Sequence, residues 1–168
     1  MLIIDSSTLR KDGGVFKSVG TLVMDRAEKL FPPQAVRQIG VLPGNEFCCD
    51  CSARDTEWAS VNHGTLICIA CAGVHRSLGV NVSFVRSMHM DTWTDSQIEM
   101  MRQGGNGQMQ DFFQRLELDK DSSSTKNKYM TKGAIQYRQF LKDRVTQILN
   151  GDIPGTPLSS FHGYISIS

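Results

Sequence analysis

Four cysteines, Cys48, Cys51, Cys68 and Cys71, stand in the pattern C-x2-C-x16-C-x2-C. Two close pairs separated by a hairpin's length of chain can gather four thiolates around one ion without straining the backbone. Zinc takes four such sulfurs as a tetrahedron at roughly 2.3 Å. With every position filled by sulfur, no place remains for a water to be activated. One structural Zn2+ is therefore expected, its binding contributing directly to folding. Counting back from Cys51, Cys48 has the two-residue gap that aims both sulfurs at one metal, so Cys49 reads as a small spare thiol, buried or half-buried. An odd number of cysteines crowded between positions 48 and 71 is unlike a disulfide framework and points to a reducing compartment.

Arg76 follows the last cysteine by five residues. A helix starting at the metal would fix the Cα of that arginine and leave its long stem free to reach outward. Between Trp58 and Met90 there is no Asp or Glu, whereas Arg76, Arg86, His63, His75 and His89 are present, so this face should attract anions. Spacing alone reads Arg76 first as a solvated surface arginine and Arg86, in a strand, as a structural hydrogen-bond donor. Trp58 suits the core and an interface equally.

The elements that must position these residues are short. Val23, Ala27, Leu30 and Phe31 recur at helical spacing before Pro32-Pro33 stops the run, and a second helix starting at Pro33 would place Val36 and Ile39 on one face. Trp58 to Val61 and Thr65 to Cys68 are two strands around the turn Asn62-His63-Gly64, and Val82 to Met88 supplies a third. The run from Ile69 to Leu78 is helical, with Gly79 as its stop. Thr94 with Gln97 makes a capping box ahead of Ile98 and Met101, ended by Gly104-Gly105. A helix from about Gln108 to Leu116 would bury Met109, Phe112 and Phe113, and the polar stretch from Asp119 to Asn127 reads as an exposed loop. The longest helix carries Ala134, Tyr137, Phe140 or Leu141, Val145, Ile148 and Leu149 before Gly151. The fold class is thus α+β: a small three-stranded sheet with a four-cysteine zinc finger, surrounded by about five to six helices. Residues 1–20 read as a flexible arm, 21–150 as the zinc-finger domain and 151–168 as a flexible tail whose lack of charge after Asp152 hints at truncation.

Composition narrows the partners. The 168 residues suit one domain, and 18 basic against 17 acidic side chains argue against coating nucleic acid or membrane through bulk charge. The longest apolar run, Leu66 to Val74, is far shorter than the about 20 residues of a bilayer span. Leu2-Ile3-Ile4 meets Asp5 at once, unlike a secretory signal, and Leu2 in place of Gly excludes the myristoylation pattern. Between Lys120 and Arg144 seven cations (Lys120, Lys126, Lys128, Lys132, Arg138, Lys142, Arg144) face two acids, Asp121 and Asp143; the run reads first as a solvated helix face, second as contact with an anionic membrane or an acidic partner.

The stretch from Asn45 to about Val145 resembles the Arf GTPase-activating protein (ArfGAP) domain. The matching residues are Gly44-Asn45, the CxxC-x16-CxxC-x4-R pattern, Trp58-Ala59-Ser60, Gly73 to Gly79, Ser83 to Ser87, Met90-Asp91 with Trp93, Gly104-Gly105-Asn106 and Phe112-Phe113. Cys49 departs from the small or apolar residue of many members. The resemblance implies that Arg76 is an arginine finger offered to an Arf-type small GTPase, which itself holds the GTP and Mg2+. The chain would then be no enzyme but an activator that completes its partner's site. It also implies that the surface near Trp58, Ile69 and Asp91 meets the GTPase, although Asp91 suits a structural role equally. It further implies action in vesicle traffic from the cytoplasm, with recruitment to Golgi or vesicle membranes. The competing readings are a zinc-dependent nucleic-acid-binding module and a non-catalytic Arf-binding adaptor. The helix from Ile69 to Leu78 carries one arginine and one histidine, too few for phosphate contacts plus base readout, so no nucleic acid is expected.

Overall fold

The computed structural model describes residues 28–115 and 125–157. The expected N-terminal arm, Val23, Ala27 and the end of the tail lie outside the described residues. The order is β1 (Lys29–Leu30), α1 (Pro33–Gly40), β2 (Trp58–Ser60), a 3-10 turn (Val61–His63), β3 (Thr65–Ile67), α2 (Ile69–Ser77), β4 (Val85–Ser87), β5 (Thr92–Trp93), α3 (Asp95–Gln103), α4 (Asn106–Arg115), α5 (Thr125–Met130) and α6 (Lys132–Leu149). This is the expected α+β fold with six helices among the described residues.

The three-stranded sheet runs β3-β2-β4, antiparallel throughout, with Trp58 opposite both Ile67 and Ser87. Its hairpin closes where foreseen, because Gly64 adopts the left-handed conformation at φ 63° that ends the 3-10 turn. A Cβ on Gly64 would lie 2.6 Å from the Met100 carbonyl and 2.8 Å from the Gly104 Cα. The absent side chain is what lets the hairpin seat on α3. Gly79 likewise follows α2 at φ 85°. The capping box of α3 forms as expected: the Thr94 hydroxyl accepts from the Gln97 N–H, and the Gln97 side chain accepts from the Thr94 N–H.

Three expectations are corrected. Lys29–Leu30 is a strand, not the end of a helix, and pairs with Thr92–Trp93 in a second, two-stranded sheet. A helical pattern running into Pro32-Pro33 is cut short by the proline, which disfavours the α region before it, while Trp93 draws Phe31 into an edge-to-face contact at 4.6 Å. Leu30 accordingly stays 67% exposed. The polar stretch read as a loop to Asn127 is already helical at Thr125, because α5 carries the buried Tyr129 onto the core. Finally, α4 begins two residues earlier than read from Gln108. Asn106 opens it by binding back to the sheet: its amide nitrogen donates to the Leu66 and Phe47 carbonyls, and its side-chain oxygen accepts from the Leu66 N–H at 2.8 Å. The Asn106 N–H in turn donates to the Asn45 side chain at 2.7 Å, and Asn45 donates to the Ile39 carbonyl. These two asparagines tie α1, the cysteine loop, β3 and α4 together through buried directional bonds.

The core has two parts. One gathers Cys48, Cys49, Ile67, Cys68, Ala72, Met109, Phe112, Phe113, Tyr129, Ala134, Tyr137 and Leu141. The other gathers Phe31, Ala35, Ile39, Ala59, Val61, Leu66, Met88, Trp93, Ile98 and Met101. The inward positions of α6, Ala134, Tyr137, Leu141 and Val145, follow the helical period read from sequence. The start of the tail is bound down, since the Gly155 carbonyl accepts from Gln103 and the Thr156 carbonyl from Arg144, both at 2.9 Å. No described helix is long and apolar enough to cross a membrane.

Candidate metal centre

The four cysteines predicted as ligands converge. Their sulfurs all lie within 4.8 Å of one another, and none is in a disulfide. A tetrahedral ion with bonds of about 2.3 Å requires sulfurs about 3.8 Å apart, and Cys51 and Cys68 stand 3.6 Å apart. Cys48 and Cys51 come from the tight loop after Phe47, while Cys68 and Cys71 open α2, where the Cys68 sulfur accepts from the Cys71 N–H. Burial opposes ionisation of Cys68, yet that N–H and the neighbouring sulfurs bring its pKa down to about 7. Burial and the neighbouring sulfurs push the Cys48 and Cys71 thiols up in turn, the crowding that a bound cation would relieve. Four sulfurs this close are a donor set that fits a metal ion and leaves no fourth-position water. Cys49 stays outside this set as foreseen: it is buried, and desolvation pushes its thiol up to about 12.

Arg76 occupies the last turn of α2 and is exposed. Its guanidinium carbon lies 4.5 Å from the centroid of the Trp58 ring, a cation–π geometry. Trp58 is half-buried and packs against the metal-side core while its ring also carries the arginine. Ile69 opens the same helix and is 54% exposed. Asp91 is half-buried, and its carboxylate accepts from the Ser87 N–H at 2.6 Å while the Ser87 hydroxyl accepts from the N–H groups of His89 and Met90. Asp91 therefore closes the turn after β4, the structural role weighed for it from sequence.

The anion-attracting face is smaller than expected. His63 and His75 are buried, and Arg86 lies over the Phe84 ring and reaches Glu28. The two histidines belong instead to a chain of buried polar groups. His63 Nδ1 meets Ser60 Oγ, Ser60 Oγ meets Ser83 Oγ, Ser83 Oγ meets His75 Nδ1, and His75 Nε2 meets Asp50 Oδ2, each at 2.7 Å. Beyond His63, Arg138 approaches Nε2 at 3.4 Å. Beyond His75, Asp50 also accepts from the Tyr129 hydroxyl at 2.7 Å and from Lys128 at 3.3 Å. The ends set the direction, because an arginine can only donate and an ionised carboxylate can only accept. Arg138 donates to the His63 Nε2 lone pair, His63 donates from Nδ1 to Ser60, Ser60 to Ser83, Ser83 to His75 Nδ1, and His75 from Nε2 to Asp50. Burial first, and the Arg138 cation second, hold His63 well below its ordinary pKa, consistent with this neutral ring. Burial would raise the Asp50 pKa, but the His75 hydrogen bond and the Lys128 cation outweigh it and lower it.

The basic run of the last helices is reduced in the same way. Lys128 binds Asp50, Arg138 donates to the Tyr129 carbonyl at 2.9 Å, and Arg144 donates to the Gln103 side chain and the Thr156 carbonyl. Lys132 and Lys142 remain exposed. Sequence reasoning overlooked Asp50 and met Ser83 only as part of the Ser83 to Ser87 match. The available signal was a carboxylate lodged between two thiolate ligands, which needs its own donors to be tolerated there.

The ArfGap family model, described as "Putative GTPase activating protein for Arf", matches residues 33–146. An uncharacterised protein of Caenorhabditis elegans is 41% identical over 108 residues, which are 64% of this chain and 20% of that protein. The ADP-ribosylation factor GTPase-activating protein 3 of Bos taurus is 38% identical over 112 residues, 66% of this chain and 21% of its own length. The chain thus spans about a fifth of the length of these relatives. Among solved structures, the "putative GTPase activating protein for ADP ribosylation factor" of Cryptosporidium parvum superposes with a TM-score of 0.60 at 32% identity, covering 67% of this chain and 89% of that one. With a four-cysteine centre opening a helix that ends in an exposed arginine, and with most of its described length matched by the family, this chain belongs to the ArfGap family.

Proposed function

We propose that this domain stimulates GTP hydrolysis by an Arf-type small GTPase, with Arg76 as the arginine finger and Zn2+ as the ion among the four cysteines. The observation that carries the reading is the placement of Arg76: exposed, on the helix that Cys68 and Cys71 open, and laid on the Trp58 ring. Family membership supplies the reaction class, and the relatives' names supply the partner class. The GTP and Mg2+ belong to the partner. What this chain adds is a guanidinium whose helix is anchored at its other end, so that little ordering remains to be done when it meets the phosphates. Charge that builds on the departing γ-phosphate is then met by a planar, permanently charged group, an effect of about 10³ to 10⁵ in rate for such fingers. The zinc takes no part in that chemistry and shapes the backbone.

Ile69, exposed on the same helix as Arg76, and the outer edge of Trp58 belong to the surface proposed to meet the GTPase, with Asp91 holding the adjoining turn. A cytoplasmic location with recruitment to Golgi or vesicle membranes goes with this reading, its support being the family alone. An adaptor that only binds the GTPase would have no use for an arginine prearranged in this way. The deciding experiment is hydrolysis of bound GTP in a single turnover with wild type and Arg76→Lys. The variant should retain its zinc and lose stimulation by about 100-fold or more, because an ammonium lacks the planar fork. A fully active lysine variant would remove the finger.

A further inference from the structure

We propose that His75 is a positioning residue for Arg76, acting through its bond to Asp50. The proposal rests on the arginine reading above and extends it to the part of α2 that the cysteines do not hold. Cys68 and Cys71 fix the first turn of α2, yet Arg76 sits in the last, and its own contact is the face of Trp58, which restrains the side chain more than the backbone. Successive helical residues point about 100° apart, so the residue before the exposed arginine faces the core, and here that residue is a histidine with no exposed surface. Both its ring nitrogens are engaged at 2.7 Å, Nδ1 by Ser83 beyond the end of α2 and Nε2 by Asp50.

Asp50 lies within the first cysteine pair, and α5 holds it from the far side through Tyr129 and Lys128. The last turn of α2 is thereby tied to the cysteine loop by a directional bond, independent of the sulfurs at its start. Asp50, His75 and Ser83 are the residue types of a nucleophilic triad, but Ser83 and His75 are sealed from solvent and no substrate reaches them. The arrangement holds a helix end. A group that sets another's position to a fraction of an ångström can matter greatly without touching the reaction, since a misplacement of about 1 Å can cost about 100-fold.

The test compares wild type, His75→Ala and His75→Gln, all metal-loaded, in single-turnover hydrolysis across a range of activator concentrations. Glutamine can still donate an N–H towards Asp50, whereas alanine cannot. For His75→Ala the maximal rate should fall about 10- to 100-fold, with the half-saturating concentration changed by less than about threefold and the metal content intact. His75→Gln should stay within about threefold of wild type. In the absence of any GTPase, amide exchange across residues 73–78 should quicken about tenfold or more in His75→Ala, while residues 69–72 change little. The proposal is overturned by an unchanged maximal rate in His75→Ala, by a loss seen only in the half-saturating concentration, by a loss that follows metal content alone, or by glutamine failing as badly as alanine. A wild type that accelerates no Arf-type GTPase would instead overturn the functional reading beneath it, and the exchange measurement tells the two failures apart.

Discussion

The two halves of the core are held in different ways. The part around Trp93, Phe31, Ile39 and Met101 is built of apolar side chains, and its buried side-chain hydrogen bonds go to backbone. The Trp93 indole N–H donates to the Ser87 carbonyl at 3.0 Å, and Asn45 and Asn106 bind the backbone of Ile39 and Leu66. The part around Cys68, Tyr129 and Tyr137 contains the four-sulfur cluster and borders the chain of donors from Arg138 to Asp50. Hydrophobic burial is non-directional and tolerates small shifts of one element against another. Metal bonds and buried hydrogen bonds fix angles as well as distances. Arg76 stands on the second kind of ground, on the helix that Cys68 and Cys71 open, which suits the finger role proposed for it.

The contrast can be broken most sharply on the apolar side. Trp93→Ala removes a fully buried indole and should destabilise the protein by about 3–5 kcal/mol, measured by chemical denaturation with metal present, while Arg76 function in the surviving folded fraction is preserved. A loss below about 1 kcal/mol would mean that burial does not carry this half.

On the polar side the effect is smaller and depends on pH. His63 is held neutral, its folded pKa depressed below the ordinary 6.5. As pH falls through 6.5 the unfolded chain takes up a proton that the folded chain refuses, so stability drops towards acid by up to about 1.4 kcal/mol per pH unit for this one group. His63→Gln should be less stable at neutral pH but should lose that portion of the slope between about pH 6.5 and 5. Parallel slopes for variant and wild type, at saturating metal, would contradict the assignment. The smallest effect belongs to the capping box on the apolar side, where Thr94→Ala should cost about 1 kcal/mol with no change in metal affinity.

Local signals in the sequence recovered local structure. The spacing of Cys48, Cys51, Cys68 and Cys71, the turn at Gly64, the stop at Gly79 and the Thr94–Gln97 box each depend on residues a few positions apart, and each is found in the fold. What escaped depends on distant partners. His63 and His75 counted as surface cations because their partners, Arg138 at one end and Asp50 at the other, come from remote parts of the chain. Lys128, Arg138 and Arg144 counted as a charged face for the same reason, since their acceptors lie in the cysteine loop, α5, α3 and the tail. Leu30 was assigned to a helix because its pairing with Thr92 is invisible to periodicity.

The central claim is that a metal-anchored helix presents Arg76. Its most direct test is single-turnover GTP hydrolysis by an Arf-type GTPase, followed as metal is withdrawn stepwise by a chelator and then restored with Zn2+. The account predicts that stimulation falls in proportion to the metal-bound fraction and returns when zinc is added back. Metal-free protein that stimulates hydrolysis at the full rate would contradict it.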